Sequence, residues 1–235
     1  MKNLSRVILL TIIALTTFQS CSSSDDSSST KNLTQTPQAK SEYNQSNFGL
    51  YKGVFVGSSG IVIIDINNTN NTIAATLIID NVTYNFSSNQ TLQANQNTTL
   101  NFVDGSNSFT FIVSGNGVNP TITNLSINGH PNAAIVVVKE TSTILVKCFE
   151  GTYSGDDSGT FNIVIYGNVI KGLVGNASTE PYIADGEVQD NETSGSGTVT
   201  SGAIFTGTIN ANNCSGSWTN PEEAMSGTWS GVRTY

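Results

Sequence analysis

From Phe48 to the end of the chain, apolar residues recur at every second position between short turn signals. This alternation constrains the fold more than any other feature. A period of two lines one face of an extended strand, whereas a helix needs a period near 3.6. No ten-residue window shows helical periodicity. In the first half the pattern predicts strands over residues 50–56, 61–66, 72–79, 82–86, 98–103, 108–113, 121–127 and 133–139. Between them stand 57–60, 67–71, 80–81, 104–107, 115–117 and 128–131, rich in Gly, Asn, Asp and Ser. Such residues tolerate positive φ or cap their own backbone. The second half repeats the design over 143–154, 159–165, 169–175, 182–188, 196–200, 203–209, 213–218 and 227–234. Short connections predict antiparallel neighbours.

The two halves also echo one another. Tyr51-Lys52-Gly53-Val54-Phe55-Val56-Gly57 matches Phe149-Glu150-Gly151-Thr152-Tyr153-Ser154-Gly155, and each is followed by a small polar turn ending in Gly. The offset of 98 residues is about one small β-domain. A third, weaker copy, Gly227-Thr228-Trp229-Ser230-Gly231, closes the chain. In the second half Gly151, Gly155, Gly207, Gly216 and Gly231 share parity with Phe149, Tyr153, Phe205, Trp218 and Trp229. Missing side chains on a concave face let strands bend, and the aromatics fill the space. The expected fold is therefore all-β: two tandem antiparallel meanders, the second a small closed or nearly closed barrel. One continuous β-sandwich is the alternative. The last strand is expected to bury Trp229, pair with residues 149–155 and close the second domain, so that its deletion spares the first. Arg233, in phase with Trp229, is expected to lie over Trp229 or Trp218, cap one barrel end and pair with Glu222 or Glu223. The Gly-Thr-aromatic-x-Gly pattern resembles small up-and-down barrels and the barrel halves of bacterial surface lipoproteins that capture host proteins. No binding residue carries over from that likeness.

The N-terminus has a different character. Lys2 and Arg6 precede an apolar run over residues 7–15, too short to span a bilayer and of the length of a signal-peptide core. Ser20 then precedes Cys21, and Ser22-Ser23-Ser24-Asp25-Asp26 follows. This resembles the lipobox of bacterial lipoproteins, with Phe18 and Gln19 in the looser form of the Bacteroidota, and the acidic tag that sends their lipoproteins to the cell surface. The resemblance implies a signal peptide over 1–20, lipid on the Cys21 thiol and anchoring in the outer membrane. Two or three acyl chains at Cys21 would hold the protein permanently, since one chain binds only marginally. Residues 21–47 are rich in Ser, Thr, Gln and Asn without periodicity, and are expected to form a disordered tether. The expected domains are then 48–141 and 142–235.

Composition excludes some partners. The formal net charge is −8, and beyond the signal Arg233 is the only arginine, which argues against nucleic acid. An exported protein can form disulfides, but Cys148 and Cys214 fall on opposite parities, so two unpaired thiols are expected.

No residue constellation marks an active site. His130 is the single histidine and sits in a turn, so neither a nucleophile–histidine pair nor a histidine-based metal site is expected. Asp80, Asp104, Asp156, Asp157, Asp185, Asp190, Glu222 and Glu223 come mainly at turns, and turn chemistry accounts for most of them. Asp185, Glu187, Asp190 and Glu192 match no calcium-loop spacing. Tyr166, Tyr182, Trp218, Trp229 and Tyr235 are the aromatics able to stack on a sugar or insert into a partner, with core packing as the simpler role. The expected function is that of a lipid-anchored surface protein, non-catalytic and cofactor-free, binding an unknown protein or glycan. A carbohydrate-binding module and a carboxylate-based glycoside hydrolase are the alternatives.

Overall fold

The computed structural model describes residues 33–56, 58, 60–175, 180–189 and 193–235. The expected signal peptide, Cys21 and the first part of the expected tether lie outside the described residues. So do Gly57, Ser59, Asp190 and Glu192.

Among the described residues, sixteen strands follow a short 3-10 turn at Ser41–Tyr43. The first eight are β1 (Gly49–Val56), β2 (Gly60–Ile66), β3 (Ile73–Ile79), β4 (Val82–Ser87), β5 (Thr98–Asp104), β6 (Asn107–Val113), β7 (Thr121–Ser126) and β8 (Ala134–Glu140). The second eight are β9 (Val146–Gly155), β10 (Gly159–Tyr166), β11 (Val169–Gly175), β12 (Tyr182–Gln189), β13 (Ser194–Val199), β14 (Ile204–Ile209), β15 (Asn213–Asn220) and β16 (Met225–Arg233). Each overlaps a strand expected from the alternation.

The second set is a closed antiparallel barrel in which β16 pairs back with β9. The first set runs β7-β6-β5-β4-β3-β2-β1-β8. There too the last strand pairs back with the first, from Leu50↔Glu140 to Val56↔Ala134. What the first sheet lacks is the ladder between β7 and β8, although the two come within 8 Å. The two sheets are thus the same meander, one closed and one nearly closed. The sequence echo marks equivalent strands, β1 and β9.

That equivalence extends to side chains. Tyr51 faces Lys139 across β1–β8, and Phe149 faces Arg233 across β9–β16. The Lys139 Nζ donates to the carbonyls of Ser46 (2.8 Å) and Phe48, and lies 4.5 Å from the centre of the Tyr51 ring. Burial lowers its pKa to about 8. Arg233 donates to the carbonyls of Tyr235 (2.8 Å) and Thr34. Each cation therefore plugs one end of its sheet by binding backbone carbonyls. Arg233, at the end of β16, lies over neither indole and binds carbonyls instead of Glu222 or Glu223. Four residues of strand carry it about 13 Å from Trp229.

The inner faces differ in filling. The first sheet packs Tyr51, Phe55, Phe86, Phe102, Phe109 and Phe111 with aliphatic neighbours. The barrel interior instead lays rings over glycines. A Cβ on Gly151 would meet the Phe161 ring at 2.5 Å, and one on Gly197 the Phe205 ring at 2.5 Å. One on Gly207 would meet Trp229 Cζ2 at 2.4 Å and the Ser215 carbonyl oxygen at 2.2 Å. Gly155, at φ +134°, ends β9 beside Gly227. Gly207→Ala is accordingly expected to cost about 1–3 kcal/mol, read by urea unfolding. A variant as stable as the parent would show that Trp229 moves aside freely.

The outer faces of the two sheets meet. Val54, Ile61 and Val138 of the first pack with Val146, Cys148 and Val164 of the second. Beside this cluster Lys52 and Glu140 form a fully buried ion pair of 2.7 Å. The described part of the expected tether is also laid down on the fold, which corrects that expectation for residues 38–47. The Gln38 N–H donates to Glu140 Oε1 (2.7 Å) and the Lys40 N–H to Asn68 Oδ1 (2.9 Å). Asn47, fully buried, donates to Thr98 Oγ1 at 2.7 Å. These side chains are polar and aperiodic, so their order comes from hydrogen bonds to residues distant in sequence.

Cys148 and Cys214 are free and buried, one between the sheets and the other in the barrel core. Burial pushes both thiols up to about 12. Neither is expected to react with a disulfide reagent at pH 8 until denaturant is added, when both should. Reaction of either in the native protein would show that its strand opens locally.

Candidate barrel-mouth site

The turns joining β9 to β10, β13 to β14 and β15 to β16 gather at the end of the barrel opposite Arg233, beside Glu180 and the start of β12. Antiparallel up-and-down winding puts alternate turns at one end, so these residues meet although they span more than sixty positions. Below the turns lies a cavity of about 150 Å³.

Its walls are the inward residues of the strands beneath. Trp218 and Trp229, both 8% exposed, stand with Phe161 and Phe205. Trp229 meets Phe161 edge-on at 5.6 Å and Phe205 at 6.2 Å, and Trp218 meets Tyr153 edge-on at 6.1 Å. Edge-to-face packing fixes the rings without filling the space between them. Ala184 and Ala203 supply short walls where a larger residue would close the cavity.

The rim is polar. Asp157 and Glu223 line it with Tyr153, Tyr182, Ser201 and Asn220. The Tyr153 hydroxyl donates to Asp157 Oδ2 at 3.4 Å, and burial raises its pKa to about 12, helped by the Asp157 charge. Asn220 Nδ2 donates to Glu223 Oε2 (3.0 Å) and to the Ser201 carbonyl (3.3 Å), fixing that carboxylate and joining two turns. The indole N–H groups are also committed: Trp218 donates to the Ser154 carbonyl (3.2 Å) and Trp229 to the Ser217 carbonyl (3.1 Å).

Other residues singled out from sequence lie elsewhere. His130 packs edge-on against Phe55 at 5.5 Å. Phe55 is the first-sheet counterpart of Tyr153, and the turn carrying His130 corresponds to the one carrying Glu223. A ring therefore covers in the first sheet the end left open in the barrel. Asp80 accepts from Ser58, Asp104 from the Asn85 N–H and Asp156 from the Ser226 N–H, as turn residues do. Asp185 is an exposed partner of Lys171 at 3.6 Å. The Tyr235 ring lies 4.7 Å from Lys52 Nζ. Among the described residues no three of His, Cys, Asp and Glu gather as metal ligands.

Sequence reasoning placed Trp218 and Trp229 inside the barrel, and there they are. It passed over Phe161, Asn220 and the pairing of Asp157 with Glu223 at one rim. The available signal was the inward parity of Phe161 and the position of both acids in turns of the same end. No family model matches the chain, and no curated protein or solved structure matches it either.

Proposed function

We propose that this is a lipid-anchored outer-membrane lipoprotein, displayed at the cell surface through Cys21, that acts as a non-catalytic binding protein with the barrel mouth as its ligand site. One observation carries the binding reading: a cavity of about 150 Å³ with an aromatic wall and a fixed polar rim. Ligand sites are concave, mostly apolar and furnished with a few placed polar groups, and barrel mouths are a common setting for them. A dry cavity of this size takes one benzene-sized ring. The anchor rests on Cys21 with its preceding apolar run and following acidic stretch. The inward-facing indoles, with their N–H groups engaged, favour enclosure of a small group over stacking on an open sugar.

The protein has two tryptophans and both wall this cavity, so its indole fluorescence reports on the mouth. Titration with benzyl alcohol is expected to change that fluorescence saturably, and Ala203→Phe, which puts a ring in the space, to abolish the change. A benzyl alcohol signal unaltered by Ala203→Phe in a folded variant, or indole fluorescence that responds neither to benzyl alcohol nor to a charged benzyl probe of the same size, refutes the site. For the anchor, intact cells treated with protease should lose the protein, and Cys21→Ser should release it from membranes. Shaving only after lysis would place the anchored protein on an inner face.

A further inference from the structure

We infer that the ligand of the barrel mouth is a small organoammonium ion: one positive nitrogen on an apolar body about the size of a single ring. This rests on the reading of the mouth as a binding site and assigns its chemistry.

Three features point to a cation. First, the ionisable groups lining the cavity are Asp157, Glu223 and two tyrosines, with no lysine or arginine. Asp156 and Glu222 stand in the same turns and Glu180 just before β12, and they add negative charge. The cations of β9–β16 are placed away from it. Arg233 and Lys147 belong to the opposite end, and Lys171 is engaged with Asp185 on the outer wall at 3.6 Å. A cleft lined by one sign of charge over low-dielectric walls concentrates the opposite ion. Second, the fixed donors are spent. Both indole N–H groups, the Tyr153 hydroxyl and the Asn220 amide already donate within the protein. Among the described lining side chains, an anion entering here finds the hydroxyls of Tyr182 and Ser201 and meets two carboxylates. Third, the walls present indole and phenyl rings, whose faces attract cations while accepting apolar groups. A neutral hydrocarbon uses the rings and leaves the carboxylates idle; an organoammonium ion uses both.

The test compares three isosteric probes by calorimetry and indole fluorescence at pH 7 and low salt: benzylammonium, benzyl alcohol and benzoate. Benzylammonium is expected to bind about ten-fold more tightly than benzyl alcohol, with benzoate weakest. Glu223→Gln and Asp157→Asn should each weaken benzylammonium several-fold and benzyl alcohol far less, so that the ratio of the two affinities falls. Added salt should erode the preference. Benzyl alcohol binding as tightly as benzylammonium overturns the cation inference while the site stands. No response to any of the three overturns the site as well. A capped lysine amide identifies the source: binding as tight as benzylammonium assigns the ammonium to a protein side chain, and failure beside bound benzylammonium assigns it to a free amine.

Discussion

Glu140→Ala is expected to destabilise the protein by about 3–5 kcal/mol, the cost of breaking a buried ion pair. The carboxylate is fully buried and joins three separate segments. It accepts from Lys52 Nζ of β1 at 2.7 Å, from the Gln38 N–H before β1 at 2.7 Å and from the Val146 N–H of β9 at 3.1 Å. Without it, the Lys52 ammonium is left in an interior where burial already lowers its pKa. The Glu140 charge and hydrogen bond are the main opposing influences, and the nearby Arg233 charge acts with burial. The Tyr235 ring and the Gln38 side-chain oxygen remain as partners, but neither carries a countercharge. Lys52→Met with Glu140→Leu should recover most of the loss, because it removes both charges and fills the space. Urea unfolding of the two variants measures this. A single variant costing under about 1 kcal/mol would mean that water reaches Lys52 and that the sheets do not seal the pair.

Deleting residues 225–235 is expected to abolish cooperative folding of the barrel and to lower the melting temperature of the first sheet. The deletion removes β16, which pairs with β15 from Asn220↔Met225 to Asn213↔Val232 and with β9 from Gly155↔Gly227 to Phe149↔Arg233. It removes the Trp229 side chain, whose burial contributes on the order of 3 kcal/mol. It also exposes two strand edges able to template aggregation. Read from sequence alone, deletion of residues 227–235 spares the first half. The structure argues otherwise: β9 and β10 present Val146, Cys148 and Val164 to Val54 and Val138. Scanning calorimetry separates the cases. A first-sheet transition at the parental temperature would show that the two sheets melt independently.

The strand pattern and barrel closure were legible because each rests on local chemistry. Alternation sets the faces, Asn and Gly set the turns, and glycines beside aromatics mark the concave wall. The echo of residues 51–57 in 149–155 anticipated two copies of one meander. The contact between sheets left a fainter trace. Strands β2, β8 and β10 carry apolar residues on both faces, as in Ile61-Val62-Ile63-Ile64, Ile135-Val136-Val137-Val138 and Ile163-Val164-Ile165, which is what a doubly covered strand requires. Other features were hidden for physical reasons. Residues 38–47 are held by Glu140, Asn68 and Thr98, partners that no local periodicity reveals. Asp157 and Glu223 look like ordinary turn acids until closure brings their turns to one rim. Arg233 has the inward parity of Trp229, but parity does not say that the strand carries it to the other end.

A ligand inside the barrel mouth is sensed most directly by the two indole N–H resonances of nitrogen-15-labelled protein. They belong to Trp218 and Trp229, which donate to the Ser154 and Ser217 carbonyls beside the cavity. Adding benzylammonium should shift both resonances saturably, together with backbone signals of Asp157, Ser201 and Glu223, and leave those of Arg233 and the first sheet in place. Indole resonances that stay fixed while signals elsewhere move would put the binding surface outside the barrel and leave the mouth without a ligand.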